Sequence, residues 1–170
     1  MAKANSPILD NFLLHDLFGY DGVGLYRKRA FPNSPAGSRA HKINKKGYVG
    51  FRVCGQVYGE HRLVWMFHNG VMPSMIDHIN GNRNDNRIEN LRVATNSENI
   101  CNSKLARNNT SGIKGVTWAK DRQQWRVRIT HANKPEWVGS FASFEQACNV
   151  ANMVRTEKHK QFANTGVAHV

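Results

Sequence analysis

Apolar residues fall in short, separated groups along this 170-residue chain. In "LDNFLLHDLFG", Leu9, Phe12, Leu13, Leu17 and Phe18 keep helical spacing, and Gly19 stands where a helix-ending glycine belongs. The stretch predicts a helix. "GLYRKRAF" reads as a strand, and the basic "PNSPAGSRAHKINKKG" as a polar loop. "YVGFRVCGQVYGE" reads as a hairpin turning near Cys54–Gly55, and "HRLVWMFHNG" as a short helix closed by Gly70, with Leu63, Val64 and Phe67 inward.

Beyond the polar segment Asp77–Leu91, Thr95 and Glu98 have capping-box spacing, so a helix should start at Thr95 with Asn99 near its first turn. "GIKGVTWAK", "QQWRVRITH" and "KPEWVGSF" carry β-branched and aromatic residues and predict three strands. Ser143 and Gln146 then open a second capped helix with an apolar stripe at Ala147, Val150, Ala151 and Val154. The pattern predicts an α+β protein in two parts. Residues 1–103 form the first, 104–109 a linker, and 110–170 a three-stranded antiparallel sheet packed on one helix.

Composition narrows the function. No run of 18 apolar residues exists, so no membrane span is expected, and "MAKANSPILD" lacks the apolar stretch of a secretory signal. A cytoplasmic protein is expected. Cys54, Cys101 and Cys148 form no C-x-x-C pair and read as small apolar residues in a reducing compartment. The net charge is +12, with 13 basic and 8 acidic side chains in residues 1–103 and 11 and 4 in residues 104–170. Such a positive field suits a polyanion, above all nucleic acid, and it is denser in the C-terminal part.

The candidate chemistry lies in and just after "DHINGNRNDNRIENL". Asp77 and Asn99 are hard oxygen donors that suit Mg²⁺ or Mn²⁺ better than Zn²⁺. His78, off the metal, could deprotonate a water, and one cation plus one imidazole suffices for phosphodiester hydrolysis. By residue chemistry alone, a plain set of asparagine turns is the simpler reading and the favoured one. An EF-hand is excluded, because Ile79 and Gly81 fall at ligand positions.

"HRLVW", "IDHINGNRNDNRIENLR" and "NSENICN", in that order over residues 47–103, resemble the HNH (ββα-metal) endonucleases of phages and mobile introns. The resemblance implies His78 as general base, Asp77 and Asn99 as ligands of one Mg²⁺ or Mn²⁺, and Asn90 as the brace of the loop. It also implies a homing-type enzyme that leaves 5′-phosphate and 3′-hydroxyl ends. His61 is a possible supporting residue, and Arg62, Arg83, Arg87 and Arg92 are candidates for backbone phosphates.

Trp118, Trp125 and Trp137 fall one on each C-terminal strand, among Lys114, Lys120, Arg126 and Arg128. Alternation places Trp125, Val127 and Ile129 on the core face and Arg126, Arg128 and Thr130 on the other. "SGIKGVTW", "QQWRVRI" and "EWVGSFASFEQA" resemble the DNA-binding domain of plant ethylene-response factors over residues 110–162. That resemblance implies duplex-DNA contacts from Lys114, Thr117, Arg128, Thr130 and Trp137, with Arg126 available beside them. Several arginines of the plant domain are replaced here, so its target sequence does not carry over. The rival readings are a non-cleaving DNA-binding protein with a degenerate nuclease site and an RNA-binding protein. The intact Asp77, His78, Asn90 and Asn99 count against the first, and the missing RNA-stacking motifs against the second.

Overall fold

A computed structural model of the chain describes residues 9–39, 44, 45 and 47–164. Residues 40–43 and 46 of the expected polar loop lie outside them. The chain forms two compact units, Met1–Val93 and Ala94–Val170. Among the described residues no helix is long and apolar enough to cross a membrane.

The first unit begins with helix α1 (Asn11–Leu17), capped by Asp10, whose carboxylate accepts the Leu13 N–H at 2.7 Å. Two expectations are corrected here. Phe12 is 85% exposed; Leu14, one turn before Leu17 and Phe18, is the buried residue of the stripe. Gly19 does not close the helix. The chain leaves α1 through Phe18 in extended backbone and enters strand β1 (Phe18–Tyr20), paired antiparallel with β2 (Leu25–Arg27). A Cβ on Gly19 would lie 2.3 Å from the ring of its cross-strand partner Tyr26. The glycine makes room for that ring.

Strands β3 (Gly50–Val53) and β4 (Gln56–Gly59) form the expected hairpin, and both turn residues have positive φ, 48° at Cys54 and 79° at Gly55. Helix α2 (Glu60–Asn69) follows at once and ends at left-handed Gly70. Its Leu63, Val64 and Met66 pack with Leu14, Leu25, Phe51 and Ile76 in one core. A short antiparallel pair, β5 (Ile76–His78) and β6 (Leu91–Val93), completes the unit, with a 3₁₀ turn at Ile88–Asn90 leading into β6.

The second unit opens with α3 (Asn96–Cys101), where Thr95 and Glu98 form the full capping box. Strands β7 (Val116–Ala119), β8 (Gln124–His131) and β9 (Lys134–Phe141) make an antiparallel sheet in that order. Helix α4 (Phe144–His159) covers one face, its Ala147 and Ala151 small enough to approach Val116, Val127 and Ile129 closely. Ser143 caps α4 by accepting the Gln146 N–H.

Residues 127–128 of β8 pair with 139 and 137 of β9, leaving Val138 as an extra residue. Counting inward from Phe141, strict alternation would bury Trp137 and expose Val138. The bulge reverses them: Val138 packs on the core and Trp137 is 55% exposed.

Candidate active site and nucleic-acid interface

Asp77 and His78 end strand β5, and both are buried. Antiparallel pairing sets Asp77 opposite Arg92, which donates from Nε and Nη2 to the same oxygen, Oδ2, at 2.8 and 2.7 Å. The carboxylate is thereby fixed and charge-compensated in a poorly solvated place. Arg92, a candidate for phosphate from the sequence, is engaged with Asp77.

The asparagine-rich loop is a ladder of short bonds. Asn80 Oδ1 accepts the Asn82 N–H at 2.8 Å and Asn82 Oδ1 the Asn84 N–H at 3.1 Å. Asn90 closes it from the 3₁₀ turn. Its Oδ1 accepts the Asn80 N–H at 3.0 Å, and its Nδ2 donates to the Asp85 carbonyl at 2.7 Å. Arg87 is paired with Asp85 through two bonds of 2.8 Å, which help hold the Asp85 carboxyl down at about 2.

Asn86 behaves differently from its neighbours. It is 1% exposed, and its amide joins His78 Nε2 at 3.0 Å to Glu60 Oε2 at 2.7 Å. Burial pushes the His78 imidazole below its usual value, with the Asn86 bond and the Asp77 charge opposing. His61, in the first turn of α2, has its ring centroid 5.3 Å from that of His78 and 4.9 Å from that of Tyr48. Burial and the neighbouring His78 and Arg62 lower it to about 4. Its Nδ1 is buried without a hydrogen-bond partner. Arg83 lies over the other ring of this cluster, 5.0 Å from the Tyr48 centroid. Arg62 donates to the Pro73 carbonyl at 2.8 Å.

A family model described as HNH endonuclease matches residues 58–100, the stretch that carries most of this geometry. Protein 3.8 of Escherichia phage T7 is 41% identical over 107 residues, which are 61% of this chain and 86% of the phage protein. The chain belongs to the HNH endonuclease family. No solved structure matches it.

The HNH stretch runs from the end of β4 through α2, β5 and β6 to α3, in the order strand, strand, helix around its motif. Family membership implies nuclease activity on DNA, and HNH nucleases generally use a divalent metal ion. Asp77, His78 and Asn90 belong to the first unit and Asn99 to α3 of the second. Among the described residues no group of three or more His, Cys, Asp or Glu side chains is placed to hold an ion.

Two buried residues bonded in line with His78 were not singled out from the sequence, Glu60 and Asn86. Glu60 looks like an ordinary acid in a helix's first turn, and Asn86 like one more asparagine of the run.

In the second unit, Thr117 pairs with Arg126 across β7–β8, and Arg128 with Trp137 across β8–β9. With Thr130 they lie on the sheet face opposite α4. Arg126 also bonds Asp121 at 2.9 Å. Lys114 is placed otherwise: its Nζ donates to the carbonyls of Cys101, at 3.1 Å, and Ser103. Burial, with the Arg155 charge nearby, lowers it to about 8. Trp125 packs between Trp118 and Phe144, with ring centroids 5.0 and 4.5 Å away, as the alternation predicts.

Proposed function

We propose that the chain is a Mg²⁺- or Mn²⁺-dependent endonuclease of the homing type. It hydrolyses duplex DNA at or near a recognised site and leaves 5′-phosphate and 3′-hydroxyl ends. The observation that carries this reading is His78 itself: a buried imidazole biased toward its neutral form, gripped at Nε2 by Asn86, adjacent to Asp77 within the HNH match.

In this reading Asp77 and Asn99 hold the ion. The donor chemistry suits it: a buried carboxylate that Arg92 holds through Oδ2 and an amide oxygen are both hard oxygen ligands. The bound cation would stabilise negative charge on the scissile phosphate and the departing oxygen. His78 takes a proton from a water as the water's oxygen bonds to phosphorus. The bond from phosphorus to the 3′ oxygen then breaks, and that oxygen leaves as a hydroxyl after taking up a proton from solvent. Asn90 braces the loop that carries these groups.

The C-terminal sheet anchors the enzyme on duplex DNA through Thr117, Arg126, Arg128, Thr130 and Trp137. The exposed Trp137 beside Arg128 supports this role. Lys114 contributes if it exchanges its carbonyl partners for a phosphate. Phosphate contacts supply salt-dependent affinity, and groove contacts supply choice of site.

The test is incubation of supercoiled plasmid from the host or phage with the protein. Nicking or linearisation with Mg²⁺, stopped by EDTA, is expected. Plasmid that is bound but intact would favour the non-cleaving alternative.

A further inference from the structure

The chain of bonds that ends on His78 begins far from it in sequence. The backbone N–H of Leu25, in β2, donates to Glu60 Oε1 at 2.9 Å. Glu60 Oε2 accepts from Asn86 Nδ2 at 2.7 Å, and Asn86 Oδ1 meets His78 Nε2 at 3.0 Å. Glu60 and Asn86 are both buried, so water does not substitute for these partners. The fit at the carboxylate is close: a Cβ on Gly24 would lie 2.6 Å from Glu60 Oε1.

The direction of the bonds follows from the Leu25 N–H together with an ionised Glu60. Burial raises that carboxyl, and the Leu25 and Asn86 bonds and the Arg39 charge oppose the rise. A backbone N–H can only donate and cannot turn round. An ionised carboxylate can only accept, so Asn86 must present its NH₂ to Glu60 and its oxygen to His78. An amide oxygen can only accept, so the proton of a neutral His78 must sit on Nε2. A neutral ring with its proton on Nε2 carries its lone pair on Nδ1, so in this tautomer Nδ1 is the nitrogen that can act as base.

We propose that Glu60, acting through Asn86, is a positioning residue that sets the tautomer of His78. This rests on the reading of His78 as general base. It gives the N-terminal hairpin β1–β2, outside the matched HNH stretch, a share in the site through the Leu25 N–H.

Two near-isosteric substitutions reverse and then restore the chain. In Glu60→Gln, the Leu25 N–H keeps the amide oxygen, so the new NH₂ points at Asn86. Asn86 must then turn its own oxygen to that NH₂ and its own NH₂ to His78. A ring nitrogen facing the turned amide must accept, and the proton moves to Nδ1. Adding Asn86→Asp replaces the flipped amide with a carboxylate that accepts on both sides, and the proton returns to Nε2.

The experiment is ¹⁵N NMR of the histidine-labelled full-length protein, with cleavage kinetics run in parallel. The expected wild-type spectrum shows His78 protonated on Nε2. In Glu60→Gln the signal should shift toward the Nδ1–H form, with kcat lowered about 10- to 100-fold and KM for DNA within about twofold of wild type. The double variant should regain the wild-type tautomer and most of kcat, which a merely structural role for Glu60 does not predict. A wild-type His78 protonated on Nδ1 overturns the proposal without recourse to any variant. So does a Glu60→Gln spectrum that keeps the wild-type tautomer. If wild-type protein cuts no DNA while the tautomers behave as stated, the reading of His78 as base fails and the hydrogen-bond chain stands.

Discussion

His61 and His78 lie with ring centroids 5.3 Å apart and planes inclined by 58°, and burial lowers both below the usual histidine range. Burial is the main cause at each ring, and the nearby His78 adds to the lowering of His61. A neutral pair is what a nuclease needs if one member is to accept a proton. It also ties the stability of the unit to pH.

The pH prediction follows from His61. The ordinary histidine value of 6.5 applies to the unfolded chain, and the folded value is about 4. Between these values the unfolded chain binds a proton that the folded chain does not. Stability is therefore complete above about pH 6.5 and falls as the pH is lowered toward 4, by up to about 3 kcal/mol from this group. Urea denaturation at a series of pH values measures the slope. His61→Phe, which removes a nitrogen with no partner, should flatten it; an unchanged slope would assign the acid sensitivity to other groups.

Arg92 gives a second prediction. Its pair with Asp77 is nearly buried, with 14% and 5% of the two side chains exposed. Arg92→Met leaves the carboxylate without that compensation, and a loss of about 3–5 kcal/mol in folding stability is expected. A loss below about 1 kcal/mol in chemical denaturation would show the pair to be dispensable.

The exposed face of the C-terminal sheet gives a third. Arg128→Ala should lower the slope of log affinity against log salt by about one, because one phosphate contact is lost. Trp137→Ala should weaken duplex binding without lowering stability by more than about 0.5 kcal/mol, since its ring is exposed. Binding titrations at several salt concentrations check both, and unaltered affinity in the two variants would remove this face from the DNA interface.

Features governed by neighbouring residues were legible in the sequence. The Cys54–Gly55 turn, the Gly70 helix end and the Thr95–Glu98 box each depend on a few adjacent positions, and each is present. Gly19 misled because a glycine that ends a helix and one that admits a cross-strand ring look identical in one dimension. Phe12 and Leu14 both lie among apolar neighbours, and only the packing of α1 shows which faces the core. The bulge at Val138 depends on pairing between two strands, so alternation along either one could not reveal it. At the site, the motif order indicated Asp77, His78, Asn90 and Asn99. Glu60 stayed hidden because its partner Asn86 is 26 residues away, among asparagines that differ only in burial.

The central claim is that His78 is the general base of a DNA-cutting enzyme, and His78→Ala assayed beside wild type tests it most directly. Both proteins should bind duplex DNA with similar affinity. Wild type should cut plasmid with Mg²⁺, and the variant should be slowed by about 10²-fold or more. Cutting by His78→Ala at the wild-type rate would contradict the account.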